Sequence, residues 1–190
     1  RRAHRLRRDV ARALRRVLRR AHGHGALGGL AIANTLCGKA NPSGKLPVTI
    51  YNGEHKLPDF EDYSMKGRTY RYMTEAPLFP FGHGLSYTTF EYSNMQMPKE
   101  LDKDNALKVK VTVKNTGNCD GQEIVQLYIR DMVASVAQAP ILLKAFERIT
   151  LKKGENKTVT FNLGKKELSI YNMNLEEVVE PGDFKVMVGA

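Results

Sequence analysis

Tryptophan is absent from the 190 residues, and cysteine occurs only as Cys37 and Cys119. Two distant thiols without CxxC or Cys/His spacing build neither a disulfide framework nor a zinc site, so both read as free, buried thiols. The missing tryptophan removes the Cys-Trp-Cys signature that would narrow a β-sandwich to a true immunoglobulin domain. No run approaches the ~20 apolar residues of a membrane-spanning helix, and no hydrophobic leader core precedes a small-residue cleavage site. A P-loop lysine motif is also missing. Gly82 and Gly84 start a GxGxxG-like pattern that fails, since Tyr87 holds the third glycine position and the run leads into a strand. His22 and His24 lack a third ligand of suitable spacing. No cofactor and no metal are expected.

Lysine is lacking from residues 1–20, where ten arginines face only Asp9. The net charge of +10 is therefore local: residues 21–190 hold the remaining 20 basic and 19 acidic side chains. Leu6, Val10, Leu14, Val17 and Leu18 recur at three- and four-residue steps, which predicts an amphipathic helix with an arginine face. A nucleic-acid arm, a membrane-surface helix and a transit peptide all suit that pattern. The abrupt change from arginine to lysine argues instead for a non-native segment, such as a frame error or fusion scar. Residues 1–24 are set apart on this ground, and nucleic-acid or membrane binding by residues 1–20 is not expected to be biological.

What the chain does contain is alternation. In LKVKVTVKN, Leu107, Val109, Val111 and Val113 point one way, and Lys108, Lys110, Thr112 and Lys114 the other. The turn formers NTGNCDG then lead into EIVQLYIRD, where Val125, Leu127 and Ile129 share a face. These two strands are expected to pair as a hairpin-like unit. Ile124 and Tyr128 on the opposite face mark the second strand as central or covered on both sides. After a turn at 152–156, Val159, Phe161 and Leu163 alternate inward, and EPGDF turns into Phe184, Val186 and Val188. About seven short strands with regular turns fit a two-sheet sandwich of immunoglobulin or fibronectin type. Upstream, Leu30 to Cys37 reads as a short helix stopped by Gly38, and NPSG turns into the extended segment LPVTIY. Helix, turn and strand are the end of an α/β layer.

These blocks, in order, resemble the C-terminal end of glycoside hydrolase family 3, the β-glucosidases and β-xylosidases. GGLAIANTLCGKANPSGKLPVT resembles the last helix and strand of that family's α/β sandwich domain. GRTYRYM and PLFPFGHGLSYTTF resemble the connection to a fibronectin type III-like module, and VKNTGNCDGQEIVQLYIRD, ITLKKGENKTVTFNL and VVEPGDFKVMVG resemble the module itself. The resemblance covers about residues 28–190. It implies a mainly β chain: a fibronectin type III-like sandwich at 79–190, preceded by an α/β remnant and connection at 25–78. Two departures stand out. GALGG at 25–29 lacks the acid of a GxEGG-like run, and QAPILLKAF carries Ala145 where a glycine is expected.

A retaining glycosidase works with two carboxylates about 5–5.5 Å apart. In the resembled family the nucleophile lies in an N-terminal barrel and the acid/base glutamate upstream of the matched region, so no catalytic residue is carried over. The resemblance implies a structural fragment whose partners are the barrel and α/β domains of a parent acting on β-glycosides, with secretion or a periplasmic location open for that parent. The alternative is a stand-alone carbohydrate-binding or adhesive β-sandwich. Two local clusters are the candidate substrate-side or domain-interface contacts. One is Asp59, Glu61 and Asp62 beside Phe60 and Tyr63, with a solvated loop as its plain reading. The other is Arg68, Tyr70, Arg71 and Tyr72, in which domain packing competes with sugar stacking and Arg71 would pair with an acid or a backbone carbonyl. In FPFGHGLSYTTF, Gly82 and Gly84 are expected to permit a sharp turn anchored by Phe79 and Phe81, with Leu85, Tyr87 and Phe90 feeding apolar surface to the module.

Overall fold

The computed structural model describes residues 27–53, 58–100 and 106–189. The arginine-rich stretch and the His22/His24 pair lie outside the described residues. The chain divides into two compact units, Arg1–Pro42 and Ser43–Ala190. In the first, helix α1 spans Gly28–Leu36. It ends where expected: Cys37 N–H donates to Ala33 O at 2.9 Å, Gly38 N–H to Thr35 O at 3.0 Å, and Gly38 sits at φ +72°. The thiols are free but not buried as expected: Cys37, at the helix end, is exposed, and Cys119, in the turn after Asn115, is half-buried.

The second unit is a β-sandwich. One sheet orders β1 (Phe90–Gln96), β2 (Leu107–Asn115) and β5 (Asn156–Leu163) as β1-β2-β5. The other orders β3 (Gly121–Asp131), β4 (Leu142–Leu151) and β8 (Phe184–Gly189) as β4-β3-β8. A small hairpin, β6 (Ile170–Tyr171) with β7 (Glu177–Val178), stands beside them. All strand pairs are antiparallel. Short helices α2 (Thr69–Tyr72) and α3 (Lys165–Leu168) complete the unit.

The expected pairing of β2 with β3 is not formed. The two strands belong to different sheets, and residues 116–120 carry the chain across the sandwich. The reason lies in the faces: each strand has one mainly apolar side, and two such sides bury more area stacked across a core than set edge to edge. Val109, Val113, Val125 and Leu127 are each at 0% exposure, joined by Ile149, Leu151, Val159, Phe161 and Leu163. β3 is indeed the central strand of its sheet.

LPVTIY does not become a sheet strand either. It runs antiparallel to residues 79–83, with Leu46 and Ile50 each exchanging backbone hydrogen bonds with that segment, through His83, Gly82 and Phe79. Pro47 and Pro80 have no N–H to give, so the ladder breaks to a single bridge, Ile50 with Phe79.

The unexpected Ala145 lies in β4 and pairs with Leu127, and it is not among the residues at positive φ. Its backbone is one that alanine adopts without strain.

Candidate functional site

The outer side chains of β3 are covered by the connecting segment. Ser43 Oγ donates to Gln122 Oε1 at 3.4 Å. Phe81 meets the Tyr128 ring edge-on at 6.5 Å, and Tyr70 stacks on Phe81 at 4.1 Å with planes 18° apart. Offset stacks and edge contacts of this kind satisfy the ring quadrupoles while burying area. Gly82, at φ +82°, makes the approach possible. A side chain there would stand 3.0 Å from both Gln126 Oε1 and the Tyr128 hydroxyl, in a backbone region that L-residues disfavour. Gly84 serves differently: its missing side chain leaves room for the Gly44 carbonyl.

Around Phe81 lie three depressions. The first, about 330 Å³, is lined by Lys45, His83, Tyr128 and Met187 among others. The second, about 210 Å³, has Thr49, Tyr70 and Ile141; the third, about 450 Å³, has Tyr51, Met65, Tyr70 and Arg71. The Tyr128 hydroxyl donates to Gln126 Oε1 at 2.8 Å, and burial, with the neighbouring Tyr70 second, pushes its pKa up to about 12. Gln126 is buried, and its Nε2 has no hydrogen-bond partner.

The candidate side chains fare unequally. Tyr70 joins the aromatic cluster, and its hydroxyl accepts from the Leu143 N–H at 3.4 Å. Arg71 lies over the Tyr70 ring, 5.8 Å from its centroid. The close carbonyl contact belongs to Arg68 instead, whose Nη2 donates to Asp62 O at 2.5 Å. Tyr72 is half-buried at the end of α2. Asp59, Glu61 and Asp62 stand on an exposed loop with Phe60 and Tyr63 at 95% and 89% exposure. Asp62 N–H donates to Asp59 O, and Asp62 Oδ1 accepts from the Ser64 N–H at 2.8 Å. That bond holds the Asp62 carboxyl below its ordinary pKa. Glu180 is lowered likewise by the Ser135 hydroxyl and N–H. A general acid needs the opposite shift. Leu85 and Tyr87 were expected to feed the core but are exposed, whereas Phe90 does pack on it. Ser86, between them, is held within a turn by accepting from the Thr88 N–H.

Two polar clusters escaped the sequence reading. Asn115, wholly buried, accepts from Thr88 Oγ1 at 2.6 Å and Gly117 N–H at 3.1 Å, and donates to Cys119 O and Leu151 O. It ties the end of β2 to the crossing loop and to the end of β4. The other cluster is Glu123, also buried, which pairs with Lys45 Nζ at 3.1 Å and accepts from the Tyr92 hydroxyl at 3.1 Å. Burial, then the Glu123 charge, raises the Tyr92 pKa well beyond the phenol range. Both were signalled by parity: Asn115 continues the inward series of β2, and Glu123 lies on the inward series of β3.

Among the described residues no group of three or more His, Cys, Asp or Glu side chains could hold a metal ion, and no helix is long and apolar enough to cross a membrane.

Comparison with known proteins accounts for both halves of this arrangement. Residues 16–87 match the glycosyl hydrolase family 3 C-terminal domain, and residues 123–190 the fibronectin type III-like domain. A β-xylosidase of Formosa agariphila is 44% identical over 87% of this chain and 24% of its own length. Thermostable β-glucosidase B of Acetivibrio thermocellus is 43% identical over 88% of this chain and 24% of its own. The solved β-glucosidase of Listeria innocua in complex with glucose covers 85% of this chain, with 38% identity and a TM-score of 0.70, again over 24% of its own length. The chain spans about a quarter of these relatives, and what it matches in them, helix, connection and sandwich together, is the C-terminal portion of glycoside hydrolase family 3, the family to which it belongs.

Proposed function

We propose that this chain is the non-catalytic C-terminal portion of a larger enzyme that hydrolyses β-linked glucosides or xylosides, and that it serves there as a structural buttress. The observation that carries this reading is the coverage: similarity extends over 87% of this chain but 24% of the Formosa relative, and the matched region ends in a closed apolar sandwich. The substrate class follows from the names of the relatives. The local carboxylates support the same view, since Asp59, Glu61 and Asp62 lie on an exposed loop and the Ser64 N–H holds the Asp62 carboxyl below its ordinary pKa. In this reading Tyr70, Arg71 and Arg68 are packing residues of the connection. The outer face of β2 presents Lys108, Lys110, Thr112 and Lys114, and an adhesive sandwich would instead carry an aromatic row. The apolar residues left exposed in the connection, among them Val48, Ile50 and Leu78, would meet the rest of the enzyme.

Deleting the stretch that matches residues 123–190 from the Acetivibrio thermocellus relative tests the role. The expected result is a lower unfolding temperature and soluble yield, with aryl β-glucoside turnover falling in step with the folded fraction. Unchanged unfolding temperature and kcat would overturn it.

A further inference from the structure

The cavity of about 330 Å³ beside Phe81 combines features that the buttress role does not use. Its walls are largely apolar, from Pro80, Phe81, Met187 and Val188. Three polar side chains converge on it: Lys45, His83 and Tyr128. The Lys45 charge is cancelled by Glu123 at 3.1 Å, and one of its three N–H groups serves that bond, which leaves donors to spare. Tyr128 spends its proton on Gln126, so its oxygen faces a ligand as an acceptor. A neutral imidazole both donates and accepts. Under the Gly82 floor the Gln126 amide is buried, with Nε2 unpartnered and 3.2 Å from where a Gly82 side chain would stand. Gln126 does not itself line the cavity, so recognition of a ligand falls to Lys45, His83 and Tyr128.

We propose that this cavity binds a single neutral pyranose. The volume sits at the low end of small-molecule sites, ~300–1,000 Å³, a match for about one ring. A pyranose offers an apolar C–H face to Pro80, Phe81 and Met187 and a rim of hydroxyls to Lys45, His83 and Tyr128. A cancelled charge favours a neutral sugar over an acidic one, whose carboxylate would compete with Glu123 for Lys45. Binding here involves no bond making, so it stands apart from the proposed function: sugar bound without turnover leaves both readings intact, and turnover by the chain would overturn only the earlier one.

The test is a titration of the 190-residue chain, followed by amide chemical shifts, with methyl β-D-glucopyranoside, methyl β-D-xylopyranoside and glucuronate. Saturable millimolar shifts at Gly82, His83, Gly84 and Gly189 are expected with the neutral sugars. His83→Ala should weaken them ~10-fold, the equivalent of one hydrogen bond of about 1.4 kcal/mol. If His83→Ala loses its folded dispersion, Met187→Ala replaces it, with a loss of about 3-fold or more for the apolar wall. No saturable shifts, shifts centred elsewhere, tighter binding of glucuronate, or full affinity in both folded variants would overturn the proposal.

Discussion

The sandwich of residues 90–189 and the connection of residues 43–89 are held by different physics. In the sandwich, stability comes from area: two three-stranded sheets press wholly buried valines, leucines and isoleucines together. The connection has no such core. It is pinned to β3 by a few specific contacts, namely the Tyr70–Phe81–Tyr128 ring cluster, the Lys45–Glu123 pair and the close approach of Gly82. Burial proportional to area tolerates sequence change if volume is kept, whereas point contacts depend on one atom each. The difference predicts that truncations should be costly and graded in the sandwich, and local in the connection.

Leu127→Ala should have the largest effect, ~2–5 kcal/mol, because it opens a cavity at the centre of the core. Chemical denaturation would register it as a fall in midpoint with an unchanged slope. Asn115→Ala follows at about 2–3 kcal/mol: Thr88 and the Leu151 carbonyl lose buried partners, while Cys119 and Gly117 are partly open to water. Gly82→Ala should cost about 1–3 kcal/mol through its positive φ and its clash with Gln126 and Tyr128. Amide exchange should accelerate at Leu46 and Ile50 in that variant and stay slow in β2, which would separate the two regions directly. Lys157→Ala should change stability by less than ~0.5 kcal/mol, because its 3.3 Å bridge to Glu147 is largely solvated.

The smallest effect concerns the acidic loop. Asp62 is lowered in the folded state by the Ser64 N–H, so whatever order it lends is present above its unfolded pKa and lost as pH falls through the folded one. Acid titration by NMR should therefore shift Ser64 and its neighbours as Asp62 protonates, with no accompanying loss of the sandwich. A global transition tracking Asp62 would blur the contrast between the regions.

Alternation made β2, β3, β5 and β8 legible, because half-buried strands write their inward face at every second residue. Pairing was not legible, since Leu107–Val113 and Val125–Ile129 carry the same pattern whether they sit side by side or face to face. Proline explains why LPVTIY is not a sheet strand: its apolar content predicts one, but Pro47 and Pro80 interrupt the ladder. Glycines 82 and 84 marked the turn correctly, while the exposure of Leu85 and Tyr87 depended on distant partners no local pattern encodes. At the candidate site, Tyr70 could be singled out from RTYRY, yet its stack on Phe81 joins residues eleven apart through the fold. Asn115 and Glu123 were visible as polar residues on inward parity, a signal worth weighing in any alternating strand.

The central claim is that this chain folds without carrying the chemistry of its family. Incubating the purified 190-residue chain with aryl β-glucosides and β-xylosides, alongside a denaturation curve on the same sample, tests it most directly. The account predicts a cooperative unfolding transition and no turnover above the uncatalysed background. Turnover that scales with the folded chain and is lost in Asp59→Asn or Glu61→Gln would contradict it.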